Sequence, residues 1–169
     1  MDNLYDLVII GLGPAAMTAG VYATRYNLKV LVIGGIPGGL MTESHKICNW
    51  PGEPNVVGAD LSQKMFKQLK DMGAKIVFDE VSEIKGHLGD FTLNTRGNKS
   101  FQGKFILMAT GTKHRHLDVP GEEEFAGRGV AYCATCDAMF FKGKTTAVVG
   151  SGNSAIGAAL YLSEICPTV

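Results

Sequence analysis

The feature that most constrains the fold lies near the start of the chain, where an apolar run meets a glycine-rich turn. The run YDLVII (residues 5–10) is followed by GLGPAA (11–16), by small residues up to Tyr26, and by a second apolar run, KVLVI (29–33). An apolar run, a glycine turn, a helix and another apolar run within about 30 residues are typical of a βαβ unit. The sequence therefore predicts an α/β fold in which a Rossmann-like domain is built on a central parallel sheet.

Five of the six residues of this first turn have a physical role in binding a dinucleotide. Gly11 permits the tight exit from the strand, and Gly13 lets a pyrophosphate approach the backbone because no side chain blocks it. Ala16 stands where the helix passes close to the strand, and Pro14 fits the first helical turn, where its missing N–H has no acceptor. Unpaired amides at the helix start, including that of Ala15, favour a phosphate. Glycines also serve ordinary tight turns, but the surrounding βαβ pattern favours a dinucleotide over a purely structural turn. We therefore expect all five residues to bind a dinucleotide.

One element of the dinucleotide pattern is missing from the sequence. An acidic residue about 20 residues after the turn usually hydrogen-bonds the ribose 2′-hydroxyl. Here the second apolar run ends at Ile33 and is followed by Gly34 and Gly35. The backbone amides of that loop are the candidate substitutes, so both glycines are included among the predicted cofactor-binding residues.

Composition and charge narrow the class of protein. The chain has 169 residues, of which 46% are apolar and 19% charged, as in a globular protein. Its formal net charge of zero argues against a polyanion-binding surface, so nucleic acid is not an expected partner. The acidic start lacks the basic region of a secretory signal, and the apolar run at 7–10 is too short for a signal core or a membrane span. We therefore expect a cytoplasmic protein with no membrane partner.

The segment from residue 34 to residue 112 is predicted to complete the first domain. A glycine-rich stretch over 34–58 is interpreted as a long loop, which is usually functional or disordered, and a helix follows over 59–72. Four short pieces, KIVFD, VSEIK, DFTLNT and SFQGK, alternate in polarity and predict a small antiparallel meander. FILMATGT (105–112) is predicted to be a buried strand that ends in another glycine turn.

The opening pattern recurs near the end of the sequence. A polar segment over 113–129 marks a candidate domain boundary. A strand predicted over 146–149 runs into GSGNSA (150–155) and then into a helix, so this turn is expected to bind a second nucleotide. Its predicted cofactor-binding residues are Gly150, Gly152, Asn153, Ser154 and Ala155.

Between the two turns, CATCD (133–137) holds two cysteines separated by two residues. Three interpretations compete: two buried cysteines, half of a zinc site, and a redox-active disulfide. A zinc site needs further ligands, but Cys48 and Cys166 are isolated, and His114 and His116 lie in a basic run typical of a solvated surface. A Cys-X-X-Cys pair at a helix start is typical of redox chemistry, because the helix stabilises the attacking thiolate. The redox disulfide is the favoured interpretation, and no metal is predicted.

Asp137 directly follows the second cysteine. Its carboxylate could shuttle a proton to or from a leaving thiolate. It could equally serve as a charge or cap at the start of a helix. The residues alone give these two roles equal weight.

The order of five motifs resembles that of the low-molecular-weight thioredoxin reductases: GLGPAA, NWPGEP (49–54), ATGT (109–112), CATCD and GSGNSA. The resemblance covers essentially the whole chain. It implies an FAD-binding domain over 1–114, followed by the start of a Rossmann-like NAD(P)H-binding domain over 115–169 that carries the disulfide. It also implies FAD-binding residues in the long loop and in the glycine turn that ends the strand predicted over 105–112. These are Gly38, Gly39, Leu40, Asn49, Thr110 and Gly111.

The resemblance further implies a route for electrons. Hydride from NADPH would reduce the flavin, the flavin would reduce the Cys133–Cys136 disulfide, and the dithiol would reduce thioredoxin. By position, Cys136 would face the flavin, Cys133 would attack the disulfide of thioredoxin, and Asp137 would act as acid and base. The family forms homodimers and rotates one domain against the other, which places one expected hinge near residues 113–116.

Three departures from the family pattern leave alternatives open. Leu40 stands where the family usually has glutamine, no acid follows the second strand, and the chain has the length expected of only the N-terminal half of such an enzyme. One alternative is a flavin-linked disulfide reductase with another electron donor, such as ferredoxin. From a different class, the chain could be a non-catalytic nucleotide-binding module or a thiol redox sensor.

Overall fold

The computed structural model describes residues 4–169, and the described chain divides into two compact units, 4–112 and 113–169. The first unit contains β1 (Leu4–Ile10), α1 (Pro14–Arg25), β2 (Val30–Gly34), a short 3-10 helix (Gly39–Glu43), α2 (Gly58–Asp71), β3 (Lys75–Phe78), β4 (Val81–His87), β5 (Asp90–Thr95) and β6 (Ser100–Met108). The second unit contains α3 (Ala134–Phe141) and α4 (Asn153–Ser163). Within residues 4–169, no helix combines the length and apolar character needed to cross a membrane.

The first unit is built on a six-stranded mixed sheet in the order β3–β2–β1–β6–β5–β4. The strands β3, β2, β1 and β6 are parallel to one another, whereas β4, β5 and β6 form an antiparallel meander. The predicted α/β fold, with a central parallel sheet and a small antiparallel meander, is confirmed. The parallel strands end at a common edge, and the first glycine turn leaves the sheet at that edge.

Two strand predictions within this sheet are wrong. KIVFD was expected in the meander, but β3 pairs in parallel with β2, and Ile76 lies opposite Val32. Parallel strands need a long crossover connection, and helix α2 supplies it between β2 and β3. The later strands are joined by connections too short for a parallel pair, so they pair in antiparallel. SFQGK and FILM were expected as separate strands, but they form the single strand β6, which pairs with β1 from Leu4 to Ile10.

The core of the first unit lies on both faces of the sheet. Ile9 and Val32 are buried against Met17 of α1 and Leu69 of α2. Their neighbours in the chain, including Val8, Ile10, Leu31 and Ile33, are buried in a second cluster with Leu93 of β5. Successive residues of β1 and β2 therefore face different layers, which explains why both strands are continuous apolar runs rather than alternating ones.

The second unit packs α3 against α4 around Ala138, Leu162 and Cys166. The helix predicted after the second glycine turn is confirmed as α4, but the strand predicted over 146–149 is wrong. The described residues pair this segment only through an isolated parallel bridge between Thr145 and Thr168, and Val149 remains 68% exposed. A strand needs a neighbour along its length to satisfy its N–H and C=O groups, and here the pairing ends after one bridge.

Candidate functional site

The first glycine turn is held between the ends of β2 and β6. The N–H of Gly11 donates to the carbonyl of Ile33 over 2.8 Å, and the N–H of Ala109 donates to the carbonyl of Ile10 over 2.8 Å. Gly11 has a φ of 118°, and a Cβ at this position would overlap the carbonyl oxygen of Ala109. Only glycine therefore fits here, for both conformational and steric reasons.

Helix α1 begins directly after this turn, and no side chain caps it. Gly13 is the N-cap, with φ −79° and ψ −177°, and Pro14 occupies the first helical turn. The carbonyl of Gly13 accepts the N–H of Met17 over 3.0 Å. The first amides of the helix, including those of Ala15 and Ala16, have no acceptor within the helix and suit an anionic ligand.

The loop after β2 crosses the start of α1 with glycines at each close approach. The N–H of Gly38 donates to the carbonyl of Leu12 over 2.8 Å. A Cβ on Gly34 would lie 2.7 Å from the carbonyl carbon of Gly11, and a Cβ on Gly39 would lie 3.7 Å from the Cα of Gly13. We call these five residues the glycine cradle: Gly11, Gly13 and Gly39, which are partly exposed, and Gly34 and Gly38, which are buried. Because it presents backbone rather than side chains, it fits the pyrophosphate of a dinucleotide.

The remaining predicted residues around this sheet are Gly35, Leu40, Asn49, Thr110 and Gly111, and all are exposed. Thr110 and Gly111 follow β6 directly, so they lie at the same edge of the sheet as the glycine cradle. Asn49 lies in the loop closed by a bridge between Ile47 and Val56. Contact of these residues with a cofactor stays a prediction.

The two cysteines of the CATCD motif form a disulfide, with their Cα atoms 5.3 Å apart. Cys133 is the N-cap of α3, and its Sγ accepts the N–H of Cys136 over 3.2 Å. The hydroxyl of Thr135 lies 3.4 Å from the same sulfur. Because Cys136 is exposed, the interpretation of two buried cysteines is wrong. An accessible disulfide at a helix start is the arrangement that thiol–disulfide exchange requires.

Asp137 lies in the first turn of α3, one residue beyond the disulfide. Its N–H donates to the carbonyl of Cys133 over 3.0 Å, so its backbone is part of the helix start. The residue is half-buried. Its position is compatible with both roles considered from the sequence, and its part in proton transfer stays a prediction.

A buried carboxylate that the sequence analysis did not identify lies in the segment before the disulfide. Glu122 is only 5% exposed, and its Oε2 accepts the N–H groups of Leu117 and Asp118, each over 2.8 Å. Its Oε1 accepts the hydroxyl of Tyr132 over 2.7 Å. The Tyr132 hydroxyl and the two amides hold the pKa of Glu122 below its ordinary value. The hydrogen bond between Tyr132 and Glu122 also raises the pKa of Tyr132. Three consecutive glutamates give no local signal of which one is buried.

The second glycine turn has a backbone similar to that of the first. Gly150 has a φ of 140°, and Gly152 is the N-cap of α4 with φ −85° and ψ 174°. The carbonyl of Gly152 accepts the N–H of Ala155 over 3.0 Å. Asn153 and Ser154 are exposed at the start of α4, which no side chain caps. The amides at this helix start also suit an anionic group.

The glycine cradle at the end of a βαβ unit, followed in the chain by an accessible disulfide, combines a backbone surface suited to a dinucleotide with a group suited to thiol–disulfide exchange. Residues 5–169 match the family described as pyridine nucleotide-disulphide oxidoreductase, and the chain belongs to this family.

The relatives of the chain include proteins named thioredoxin reductase. The chain is 41% identical to the thioredoxin reductase of Bacillus subtilis (strain 168), and the match covers 99% of this chain and 53% of the relative. The crystal structure of thioredoxin reductase from Streptococcus pyogenes MGAS5005 is 40% identical, with a TM-score of 0.89 over 98% of this chain and 54% of that one. A Ferredoxin-Flavin Thioredoxin Reductase from Clostridium acetobutylicum is 33% identical, with a TM-score of 0.60 over 97% of this chain and 57% of that one.

The chain spans about half the length of the curated relatives it matches. The resemblance to thioredoxin reductases and the expected half length are both confirmed.

Proposed function

We propose that these residues form the FAD-binding and disulfide-bearing part of a thioredoxin-disulfide reductase. In this enzyme NADPH would supply the electrons, bound FAD would carry them to the Cys133–Cys136 disulfide, and the resulting dithiol would reduce thioredoxin. The observation that carries the proposal is the accessible, helix-capping disulfide in a chain that also has the glycine cradle. The names of the relatives support thioredoxin, or a thioredoxin-like protein, as the partner.

We assign FAD to residues 1–114 and NADPH to residues 115–169, a boundary close to the division between the compact units after Thr112. In the first domain, Gly11 makes the tight turn out of β1, Gly13 admits the pyrophosphate to the backbone, and the start of α1 supplies amides for its charge. In the second domain, Gly150 and Gly152 do the same at the start of α4. When bound, FAD would supply a two-electron carrier between the nicotinamide and the disulfide.

The dithiol form of the CATCD motif carries out the exchange with thioredoxin. The Cys133 thiolate attacks one sulfur of the thioredoxin disulfide, which forms a mixed disulfide and releases one thioredoxin thiolate. The Cys136 thiolate then attacks the Cys133 sulfur, which restores the Cys133–Cys136 bond and releases the second thioredoxin thiolate. Two electrons leave this chain, and the two released thiolates take up two protons. In this proposal Asp137 moves one of these protons.

The structure gives a reason for Cys133 as the attacking residue. Its sulfur, rather than that of Cys136, accepts the Cys136 amide and lies beside the Thr135 hydroxyl. Hydrogen bonds to a thiolate lower its pKa, so more of the attacking species is present at neutral pH. Trapping tests this assignment. The Cys136→Ser variant should form a stable mixed disulfide with thioredoxin through Cys133, whereas a mixed disulfide formed only by Cys133→Ser would reverse the two roles.

The visible spectrum of the purified chain tests the cofactor assignment. We expect flavin bands that bleach when NADPH is added. Bands that bleach only with reduced ferredoxin would support a ferredoxin-linked reductase, the alternative favoured by the Clostridium acetobutylicum relative. A folded but colourless chain would contradict flavin binding and would support a nucleotide-binding module or a thiol sensor instead.

A homodimer in the cytoplasm is also part of this proposal, and it rests on the family resemblance. Sedimentation of the purified protein tests the oligomeric state, and a monomer at all concentrations would contradict it.

The Cys136→Ser variant gives a second test of the electron route. It should lose thioredoxin reduction while NADPH still reduces the flavin, and thioredoxin reduction equal to that of the parent would remove the disulfide from the mechanism.

A further inference from the structure

The buried carboxylate of Glu122 joins two segments that are distant in sequence from each other. On one side it accepts the backbone N–H groups of Leu117 and Asp118, and on the other it accepts the hydroxyl of Tyr132. Asp118 has a φ of 56°, a left-handed conformation that is uncommon for residues other than glycine. The carboxylate therefore holds this left-handed turn and a tyrosine in one fixed arrangement.

Tyr132 is held on its ring as well as on its hydroxyl. The ring of His114 stacks on it, with centroids 4.9 Å apart and 13° between the planes. The ring of His116 meets it edge-on at 5.5 Å, and the Nδ1 of His116 lies 3.2 Å from the Tyr132 hydroxyl. A ring held on a face, at an edge and at its polar end has little freedom to change rotamer.

Tyr132 immediately precedes Cys133, the N-cap of α3. Cys133 has an extended backbone, with φ −130° and ψ 99°, and this conformation directs its sulfur to the Cys136 amide. An N-cap keeps its hydrogen bond only while the preceding backbone enters the helix at the right angle. The fixed side chain of Tyr132 thus lies on the residue directly before the backbone that sets the contact between the Cys133 sulfur and the Cys136 amide.

We propose that Glu122 is a positioning residue for the redox disulfide. Its carboxylate fixes Tyr132, and Tyr132 fixes the backbone at which the Cys133 sulfur accepts the Cys136 amide. This inference rests on the proposed function only in taking the disulfide as redox-active. It adds a residue that acts through Tyr132 and touches neither sulfur.

The direction in which Glu122→Gln changes the pKa of the Cys133 thiol distinguishes a positioning role of Glu122 from a purely electrostatic one. The charged and titratable groups that the structure places around Tyr132 are His114, His116, Glu122 and Glu123, and Asp137 lies on α3. If Glu122 acted on Cys133 only by its negative charge, the neutral Glu122→Gln variant would lower the pKa of the thiol. If Glu122 acts by positioning, the same variant loosens the N-cap and raises the pKa of the Cys133 thiol.

The experiment measures alkylation of the reduced full chain by iodoacetamide at a series of pH values, with each cysteine resolved by mass spectrometry. Tyr132→Phe removes only the hydroxyl, and it leaves the Glu122 charge and the aromatic ring in place. We expect Tyr132→Phe and Glu122→Gln each to raise the pH midpoint of Cys133 alkylation by about half a unit, which corresponds to at most about threefold less thiolate at neutral pH. The double variant should shift no further than either single one.

Two controls belong to the same measurement. Glu124→Gln changes an exposed neighbour of the same chemistry and should leave the Cys133 midpoint unchanged. Cys48, an exposed free cysteine of the first unit, should react at the parental rate in every variant.

An unchanged or lowered Cys133 midpoint in folded Tyr132→Phe would overturn the proposal, and if Glu122→Gln fails to fold, Tyr132→Phe alone decides. Because neither flavin nor thioredoxin enters this assay, a failure of the proposed function would leave its result unaffected.

Discussion

The two glycine turns have similar backbones but very different surroundings. Gly11 and Gly150 have φ values of 118° and 140°, and each is followed by a glycine N-cap that lacks a side-chain hydrogen bond. A Cβ on Gly11 would overlap the backbone of Ala109, whereas a Cβ on Gly150 would lie 3.0 Å from the Cβ of Ala155. The first turn is enclosed by a sheet, and the second follows a segment that is not a strand in the described residues.

This difference indicates that the same local glycine pattern can contribute differently to the free energy of unfolding in two places of one chain. The backbone conformation follows from the glycines themselves, because both turns adopt it despite their different surroundings. The cost of changing a glycine depends instead on how closely other strands approach it. Substitutions at equivalent positions of the two turns measure this difference directly.

The largest effect is expected for Gly11→Ala. Backbone strain of about 1–3 kcal/mol adds to an overlap with a carbonyl inside the sheet, so the free energy of unfolding should fall by about 3 kcal/mol or more. Urea unfolding followed by the fluorescence of Trp50, the single tryptophan, reports on the first unit. Gly35→Ala is the matched control in this unit, because nothing lies within 4 Å of its Cβ position. Equal midpoints for the two variants would contradict the enclosed description of the first turn.

A smaller effect is expected for Gly38→Ala, where the obstacle is a side chain. Gly38 has a φ of 97°, and a Cβ there would overlap the side chain of Ser62 on α2. We expect a loss of about 2 kcal/mol from strain and overlap together.

A double-mutant cycle with Ser62→Gly isolates the overlap with the Ser62 side chain. Removing that side chain relieves this overlap but leaves the backbone strain and the approach of the Cβ to Thr42 Cγ2, 2.8 Å away, so Gly38→Ala should cost about 1 kcal/mol less in the Ser62→Gly background. The same cost in both backgrounds would show that the overlap with Ser62 contributes nothing. Urea unfolding monitored at Trp50 again provides the measurement.

Gly150→Ala should cost only about 1 kcal/mol, because strain acts there without overlap with a backbone. Thermal unfolding followed by far-ultraviolet circular dichroism measures it in the second unit. Gly152→Ala is the control, since its φ of −85° suits any residue and nothing lies within 4 Å of its Cβ position. If Gly150→Ala destabilises the chain as much as Gly11→Ala, the surroundings do not explain the difference between the turns.

The smallest expected effect is a pH dependence of the melting temperature, which arises because each unit contains a hydrogen-bonded carboxylate with a lowered pKa. Glu122 in the second unit has a lowered pKa, chiefly through the Tyr132 hydroxyl, and Asp79 in the first has one chiefly through the Glu80 amide. A carboxylate with a depressed folded-state pKa stabilises the fold fully above its ordinary pKa, and it loses this contribution as the pH falls through the folded-state value. The difference in melting temperature between the parent and Glu122→Gln should therefore shrink below about pH 4.5.

Glu124→Gln is the control for the pH measurement, because its side chain is exposed. Its melting temperature should follow that of the parent at every pH. A difference between the parent and Glu122→Gln that grows as the pH falls would show that Glu122 does not stabilise the fold in its charged form.

Features that depend on neighbouring residues were predicted correctly from the sequence, whereas a feature that depends on segments far apart in the chain was not. The glycine turns and the helices after them were predicted correctly, because a strand exit, an N-cap and a helix start depend on neighbouring residues. The placement of Lys75–Phe78 was wrong, because its alternation of polarity fits either a meander or the edge of a parallel sheet. Only the position of α2 decides between them.

Burial was harder to predict than secondary structure. Glu122 is one of three consecutive glutamates, and its burial depends on amides before it and on a tyrosine ten residues after it. His114 is exposed, as expected, but the sequence did not indicate that its ring stacks on that tyrosine. Neither contact has a periodic signature, because both form between irregular segments.

The sequence by itself determined the features that a few adjacent residues can specify: the two glycine turns, the uncapped helix starts and the short ring closed by Cys133 and Cys136. The tertiary structure alone decided which strands pair, which turn is enclosed and which carboxylate is buried. The physical reason is that local conformation depends on the torsions and hydrogen bonds of neighbouring residues. Pairing and burial instead depend on distant segments whose approach one stretch of sequence does not encode.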